Sequence, residues 1–379
     1  VVLRVGTMAA RIRVWASRPA VSAPSAQVMQ DGDGRIPSAV RAGFVEGCPT
    51  GLAPMTVAYE RSGTGEPVVL LHGIGSHRQV WDPVTRLLVT DREVIADLPG
   101  FGQSPDLRTT WPRDLHTVVA GFGAVFTELG LERPHVVGHS LGGLIALRLA
   151  QTGLVRSVTA LAPAGFWDER ERRYVFAVLA AARQIARLPE PILTRLSQTS
   201  LARAAVVGTL YGRPELFVPE AVAASLRTLR QSAGFDATLR AGRASDLFTG
   251  DIPDVPVTIA WGTRDRLLSV RQAARVTALI PAAHMLWLPG CGHVPMRDWP
   301  DLVAHVILQA TNAETVTRSA AMSHGRGSGA PLPNPVQPSA NRTRAAPRRA
   351  KRVLDLVSKV PPIVFRPIRQ LRRSDGGAL

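Results

Sequence analysis

From about residue 55 the chain alternates between short, continuous apolar runs and longer segments with apolar residues at helical spacing. Thr56–Glu60 is a short β-rich run, and Val68–Leu71 and Val94–Ala96 are unbroken apolar runs. Across residues 112–129, Leu115, Val118, Val119, Phe122, Val125, Phe126 and Leu129 recur at the three- and four-residue spacing of a helix face. His135–Gly138, Val155–Leu161, Val257–Trp261 and Met285–Leu288 read as further strands. Leu141–Ala150, a stretch near 270–280 and a segment after Pro300 read as helices, the last with proline at its first turn. Strands apolar on both faces, separated by amphipathic helices, predict an α/β architecture: a mostly parallel central sheet covered by helices on both faces.

The alternation stops between about 165 and 250, where the sequence is helical and poor in strands. Asp168, Glu169 and Glu171 mark a helix start, and Val175, Val178, Leu179, Ala182 and Ile185 form one apolar face. Pro189, Pro191, Pro214 and Pro219 divide the rest into several helices. Such an insertion between two strands is expected to form a lid over the strand ends, where open α/β sheets bind ligands. The expected organisation is a loose, disordered extension over 1–54, a domain over 55–314 and a mostly disordered tail over 315–379. Met55 reads as the natural start of the domain.

Charge sharpens this division. The formal net charge is +16, but residues 315–379 hold 13 Arg/Lys against 2 Asp/Glu. The domain is nearly neutral, so the high pI does not make it a nucleic-acid binder. In the tail, Arg342, Arg344, Arg348, Arg349, Lys351 and Arg352 precede an apolar run at Val353–Phe365. The expected alternatives for this segment are a solvated tail or a peripheral contact with anionic membrane. Nucleic acid is disfavoured because aromatic stacking groups are nearly absent. No secretion signal or spanning segment is recognisable, which gives a cytoplasmic expectation. Cys48 and Cys291 cannot build a disulfide scaffold or a zinc site. No metal or organic cofactor is implied, and the oligomeric state is left open.

The chemistry concentrates at strand ends. Gly138-His139-Ser140-Leu141-Gly142 lies between a predicted strand and a predicted helix, which makes Ser140 the candidate nucleophile of a tight strand-to-helix turn. Asp265 in Gly262-Thr263-Arg264-Asp265 and His293 in Gly290-Cys291-Gly292-His293 each follow a later strand. A serine needs a base, and the base needs an orienting acid, in the order Ser, Asp, His expected for this architecture. His72-Gly73-Ile74-Gly75 follows an early strand, and the amides of Ile74 and Leu141 are candidate oxyanion donors. His72 reads as structural, Asp97 and Ser104 as loop braces, and Asp168 as a fallback acid. Trp81, Phe166, Trp167 and Val294 are candidates for an apolar substrate pocket, with ordinary packing as the competing role. Cys291 reads as a buried small residue.

These pieces, with Leu70-Leu71-His72-Gly73 and Asp97-Leu98-Pro99-Gly100-Phe101-Gly102, resemble the α/β-hydrolase superfamily, specifically its lid-bearing serine hydrolases, over about 55–312. The resemblance implies that Ser140 attacks a carbonyl, His293 carries the proton and Asp265 holds its tautomer. Relatives that open epoxides or carbon–halogen bonds use aspartate at the elbow, and Ser140 argues against both. The expected substrate is a small apolar carboxylic ester. Carbon–carbon bond hydrolysis, acyl transfer, metal-free haloperoxidation and non-catalytic ligand binding are the alternatives.

Overall fold

The apolar runs become strands of an eight-stranded sheet in the computed structural model, which describes residues 40–88, 92–108, 112–214, 217–244 and 248–311. The strands are β1 (Arg41–Gly47), β2 (Met55–Ser62), β3 (Pro67–Leu71), β4 (Arg92–Ala96), β5 (His135–His139), β6 (Ser157–Leu161), β7 (Val257–Gly262) and β8 (His284–Leu288). Their spatial order is β1-β2-β4-β3-β5-β6-β7-β8. The β1–β2 and β2–β4 pairs are antiparallel, and every pair from β4 to β8 is parallel.

The helices are α1 (Asp82–Thr85), α2 (Leu115–Glu128), α3 (Leu141–Gln151), α4 (Glu169–Ala186), α5 (Glu190–Gln198), α6 (Ser200–Val207), α7 (Pro219–Gln231), α8 (Phe235–Ala244), α9 (Gln272–Leu279) and α10 (Pro295–Asp298). A further helix covers 300–311. Among the described residues, no helix is long and apolar enough to cross a membrane.

Strand geometry distributes the apolar runs between two cores. In β3, Val69 and Leu71 enter one cluster while Val68 and Leu70 enter the other. In β7, Ile259 and Trp261 share the first cluster and Ala260 the second. Successive side chains of a strand point to opposite faces, so an unbroken apolar run needs cover on both sides. The helix starts follow their own chemistry. The Asp114 side chain accepts the Thr117 amide at 2.7 Å to cap α2. Asp168 caps α4 by accepting the amides of Arg170 and Glu171, each at 2.9 Å, while Glu171 accepts the Asp168 amide.

One expectation about the chain start is corrected. Residues 41–47, read from sequence as part of a loose extension, form the edge strand β1 in full antiparallel register with β2. The reason is that main-chain pairing fixes this strand while its side chains stay largely in solvent; Phe44 is 62 % exposed. The pattern therefore lacks the apolar alternation that marks a half-buried strand. Residues 1–39 and 312–379, which include the basic tail segment, lie outside the described residues.

Between β6 and β7 the described residues form helices α4 to α8. Buried Arg183 ties α4 to the end of α7 and to α8. Arg183 of α4 donates to the carbonyls of Arg230 and Ser232 at 3.0 and 3.1 Å and pairs with Asp236 at 3.0 Å. Arg230 of α7 returns a hydrogen bond to the Ala186 carbonyl at 2.6 Å. A guanidinium serves this role because one rigid fork can satisfy several helix-end carbonyls at once.

Candidate active site

Ser140 sits between β5 and α3 with φ 53° and ψ −112°, in a region that L-residues seldom occupy. Main-chain bonds hold this bend. The Ser140 amide donates to the Leu161 carbonyl, and its own carbonyl accepts the amides of Leu144 and Ala164, all at 3.0 Å. The flanking glycines are sterically required. A Cβ on Gly138 would lie 2.1 Å from the Gly142 carbonyl oxygen, and one on Gly142 would lie 2.4 Å from that of Leu71.

Asp265 follows β7 and His293 follows β8. His293 Nδ1 donates to Asp265 Oδ2 at 2.8 Å, and both residues are buried. The other carboxylate oxygen, Oδ1, accepts the amides of Leu267 and Leu268 at 2.9 and 2.8 Å, which fixes the acid in the turn. With Nδ1 committed, Nε2 is the imidazole nitrogen left for proton exchange. The His293 carbonyl accepts a hydrogen bond from His139 Nε2 at 2.7 Å, and the two rings lie 4.8 Å apart. This contact joins the loop carrying His293 to the residue preceding Ser140.

Ser140, Ile74 and Leu141 lie on the wall of a cavity of about 120 Å³. Among the described residues, the Ser140 hydroxyl and the amides of Ile74 and Leu141 have no hydrogen-bond partner. Leu115 and Val118 of α2, Val175, Phe176 and Leu179 of α4, and Leu239 of α8 make most of the wall apolar. Trp167 also lines it. Arg113 is its cationic member; it donates to Thr238 Oγ1 at 3.1 Å and pairs with Asp106.

The structure separates the four pocket candidates. Trp81 is fully buried in the second core cluster, beside Val80 and Val84, and Val294 belongs to that cluster too. Phe166 is buried against Phe248, with ring centroids 5.2 Å apart. These three do not line the cavity, because each is taken up by core packing; Trp167 alone of the four does. Asp168, the fallback acid, spends its carboxylate on capping α4. Of the α4 wall residues, Val175 and Leu179 were visible in the sequence as part of one helix face, but not as a cavity wall, and Phe176 was not read at all.

Around the site, buried groups brace the loops. His72 Nδ1 donates to the Gly73 carbonyl at 2.8 Å while Nε2 accepts the Leu98 amide at 3.0 Å, so a neutral imidazole joins the β3 and β4 loops. Burial lowers its pKa to about 4, and burial lowers that of His135 to about 4 as well. Burial, with the neighbouring His293, drives His139 well below the ordinary histidine range. Burial pushes the Cys291 thiol up to about 12, so it stays unionised at neutral pH. Among the described residues, no group of three or more His, Cys, Asp or Glu is placed to hold a metal ion.

The histidines give a stability prediction. The folded pKa of His72, about 4, lies below the ordinary 6.5, so between these values the unfolded chain binds more protons. Stability is then complete above about pH 6.5 and falls as pH drops toward 4, by on the order of 3 kcal/mol from this residue. Urea midpoints are expected to decline between pH 6.5 and 5, above the ordinary carboxylate range. A constant midpoint there contradicts the buried, neutral His72.

Comparison with known proteins places this site in a family. The Alpha/beta hydrolase family model matches residues 68–306, which contain all of the residues above. An uncharacterized protein of Mycobacterium tuberculosis is 30 % identical over 259 residues, covering 64 % of this chain and 74 % of that protein. Lipase 1 of Psychrobacter immobilis is 25 % identical over 269 residues, covering 66 % of this chain and 78 % of the lipase. Among solved structures, a thermophilic esterase from Thermogutta terrifontis superposes with a TM-score of 0.56 at 19 % identity, over 72 % of this chain and 99 % of the esterase. With the sheet order, the glycine-framed turn at Ser140 and a model match across the whole site, the chain belongs to the alpha/beta hydrolase family.

Proposed function

We propose that the protein is a serine hydrolase acting on small, apolar carboxylic esters through Ser140, His293 and Asp265. The observation that carries this reading is a strained serine on the wall of an apolar cavity, with a buried imidazole–carboxylate pair at the same edge of the sheet. In the proposed reaction, Ser140 Oγ bonds to the ester carbonyl carbon as its proton passes to His293 Nε2. The tetrahedral oxyanion accepts hydrogen bonds from the amides of Ile74 and Leu141. Collapse breaks the carbon–oxygen bond to the alcohol, which leaves with the proton from His293. Water then attacks the acyl-enzyme with His293 again as base, releasing the acid and restoring Ser140. Asp265 holds the imidazole in the tautomer that presents Nε2 and stabilises the imidazolium. Each oxyanion donor is worth about 3 kcal/mol of barrier.

The apolar wall contributed by α4 and α8 supports an acyl or alkyl group rather than a polar one, with the α4–α8 insertion acting as the lid. The likeness to a bacterial lipase supports ester chemistry. A fluorophosphonate is expected to label Ser140 covalently, as read by peptide mass spectrometry, with no label in Ser140→Ala. A folded wild type that takes no label at Ser140 refutes the proposal.

A further inference from the structure

The segment between α6 and α7 is bound at three alternate residues, Gly208, Leu210 and Gly212, to the loops carrying Asp265 and His293. The Gly208 carbonyl accepts from Arg266 Nη1 at 3.1 Å, and the Gly212 carbonyl accepts from Arg264 Nη1 at 3.2 Å. These two arginines flank Asp265. Between them, the Leu210 carbonyl accepts the Val294 amide at 3.0 Å. The last tie runs through Asp298, at the end of α10. Its Oδ2 accepts the Gly212 amide at 2.9 Å and the Gly292 amide at 2.7 Å. Asp298 Oδ1 is buried and has no hydrogen-bond partner among the described residues.

This arrangement has a physical cost and a positional result. A carboxylate with one buried, unbonded oxygen is poorly compensated for leaving water. What the other oxygen does is join two amides from distant parts of the chain, one preceding the proposed base and one in the insertion. His293 is thereby held on each side: Asp265 at Nδ1, His139 at its carbonyl, Asp298 at the preceding amide and Leu210 at the following one. None of these contacts touches Nε2.

We propose that Asp298 is a positioning residue for His293, fixing the base against the 208–212 segment of the insertion so that Nε2 is held for proton transfer with Ser140. The proposal rests on the triad reading above. It requires an acceptor oxygen at this place, not a negative charge.

The test uses the full chain as wild type, Asp298→Ala, Asp298→Ser and Asp298→Asn. Each is assayed for p-nitrophenyl butyrate turnover and for the rate of fluorophosphonate labelling, at a temperature where circular dichroism shows it folded. Asp298→Ala and Asp298→Ser are expected to lower kcat by about 10- to 100-fold, the scale of a misplacement near 1 Å, with KM within about twofold. Labelling slows in parallel. Asp298→Asn keeps an acceptor oxygen and is expected to recover most of the rate. Folded Ala and Ser variants with wild-type kcat overturn the proposal, as does an Asn variant as slow as Ala. If neither Ala nor Ser folds, the role is architectural and the proposal also falls. A wild type that neither turns over ester nor takes the label fails the triad reading instead. That outcome is distinct from labelled, active enzyme indifferent to Asp298.

Discussion

Ser140→Ala and His293→Ala are each expected to reduce kcat on a p-nitrophenyl ester by a factor on the order of 10⁶, and the double variant by no more than either alone. In the proposed mechanism the two side chains serve one event. Without the imidazole the hydroxyl stays protonated at neutral pH and is a weak nucleophile. Without the hydroxyl the imidazole has nothing to activate. The unexposed position of both residues strengthens the expectation, since bulk water does not freely replace either group. Residual rate above the uncatalysed reaction, about 10³- to 10⁴-fold, is assigned to the amides of Ile74 and Leu141 and to substrate binding. Steady-state kinetics on the three variants decides this. Multiplying losses in the double variant would mean that Ser140 and His293 act in separate steps, and the proposed mechanism would be wrong.

The largest structural effect is expected from Asp97→Ala. Asp97 is fully buried and accepts the Arg78 amide at 2.6 Å and the Gln103 amide at 2.9 Å, while its carboxylate pairs with the Arg78 guanidinium. Arg78 is itself buried and reaches Glu60 and Gln103 at 2.8 and 2.7 Å. Ser104 completes the brace by donating to the Asp97 carbonyl at 2.7 Å and accepting the Ala58 amide at 2.9 Å. Alanine would leave a guanidinium without its main counter-charge and two amides without an acceptor, that of Arg78 buried. Removing one partner of such a pair costs about 3–5 kcal/mol, far above the value of a surface ion pair. For a domain of this size that corresponds to a fall in Tm of about 10 °C. Thermal unfolding followed by circular dichroism measures it, and a fall below 2 °C would show that the loop is held by other contacts.

Much of this architecture was readable along the chain, for identifiable reasons. The run at Val68–Leu71 had to be a two-sided strand, because its apolar residues leave no polar face. Gly138 and Gly142 bracket Ser140 at a spacing that a sharp turn needs, and the structure shows backbone where either Cβ would stand. What stayed hidden depended on the partner rather than on the residue. Trp81 and Trp167 are the same side chain in sequence terms, yet one fills a core and the other faces the cavity. β1 carries no pattern of its own, since its pairing uses groups common to every residue. Asp298 was equally silent, for what it binds are two main-chain amides, which have no sequence signature.

Among the described residues β8 is the outermost strand on its side, paired with β7, and Trp287 on it is 46 % exposed. A terminal ribbon of this kind is where a sheet opens first, and the proposed base is carried on the turn that leaves it. The hydrogen bonds from the 208–212 segment of the insertion reach the turns that leave β7 and β8, through Arg264, Arg266 and Val294. The same insertion that lines the cavity thus also braces the turn leaving the outermost described strand.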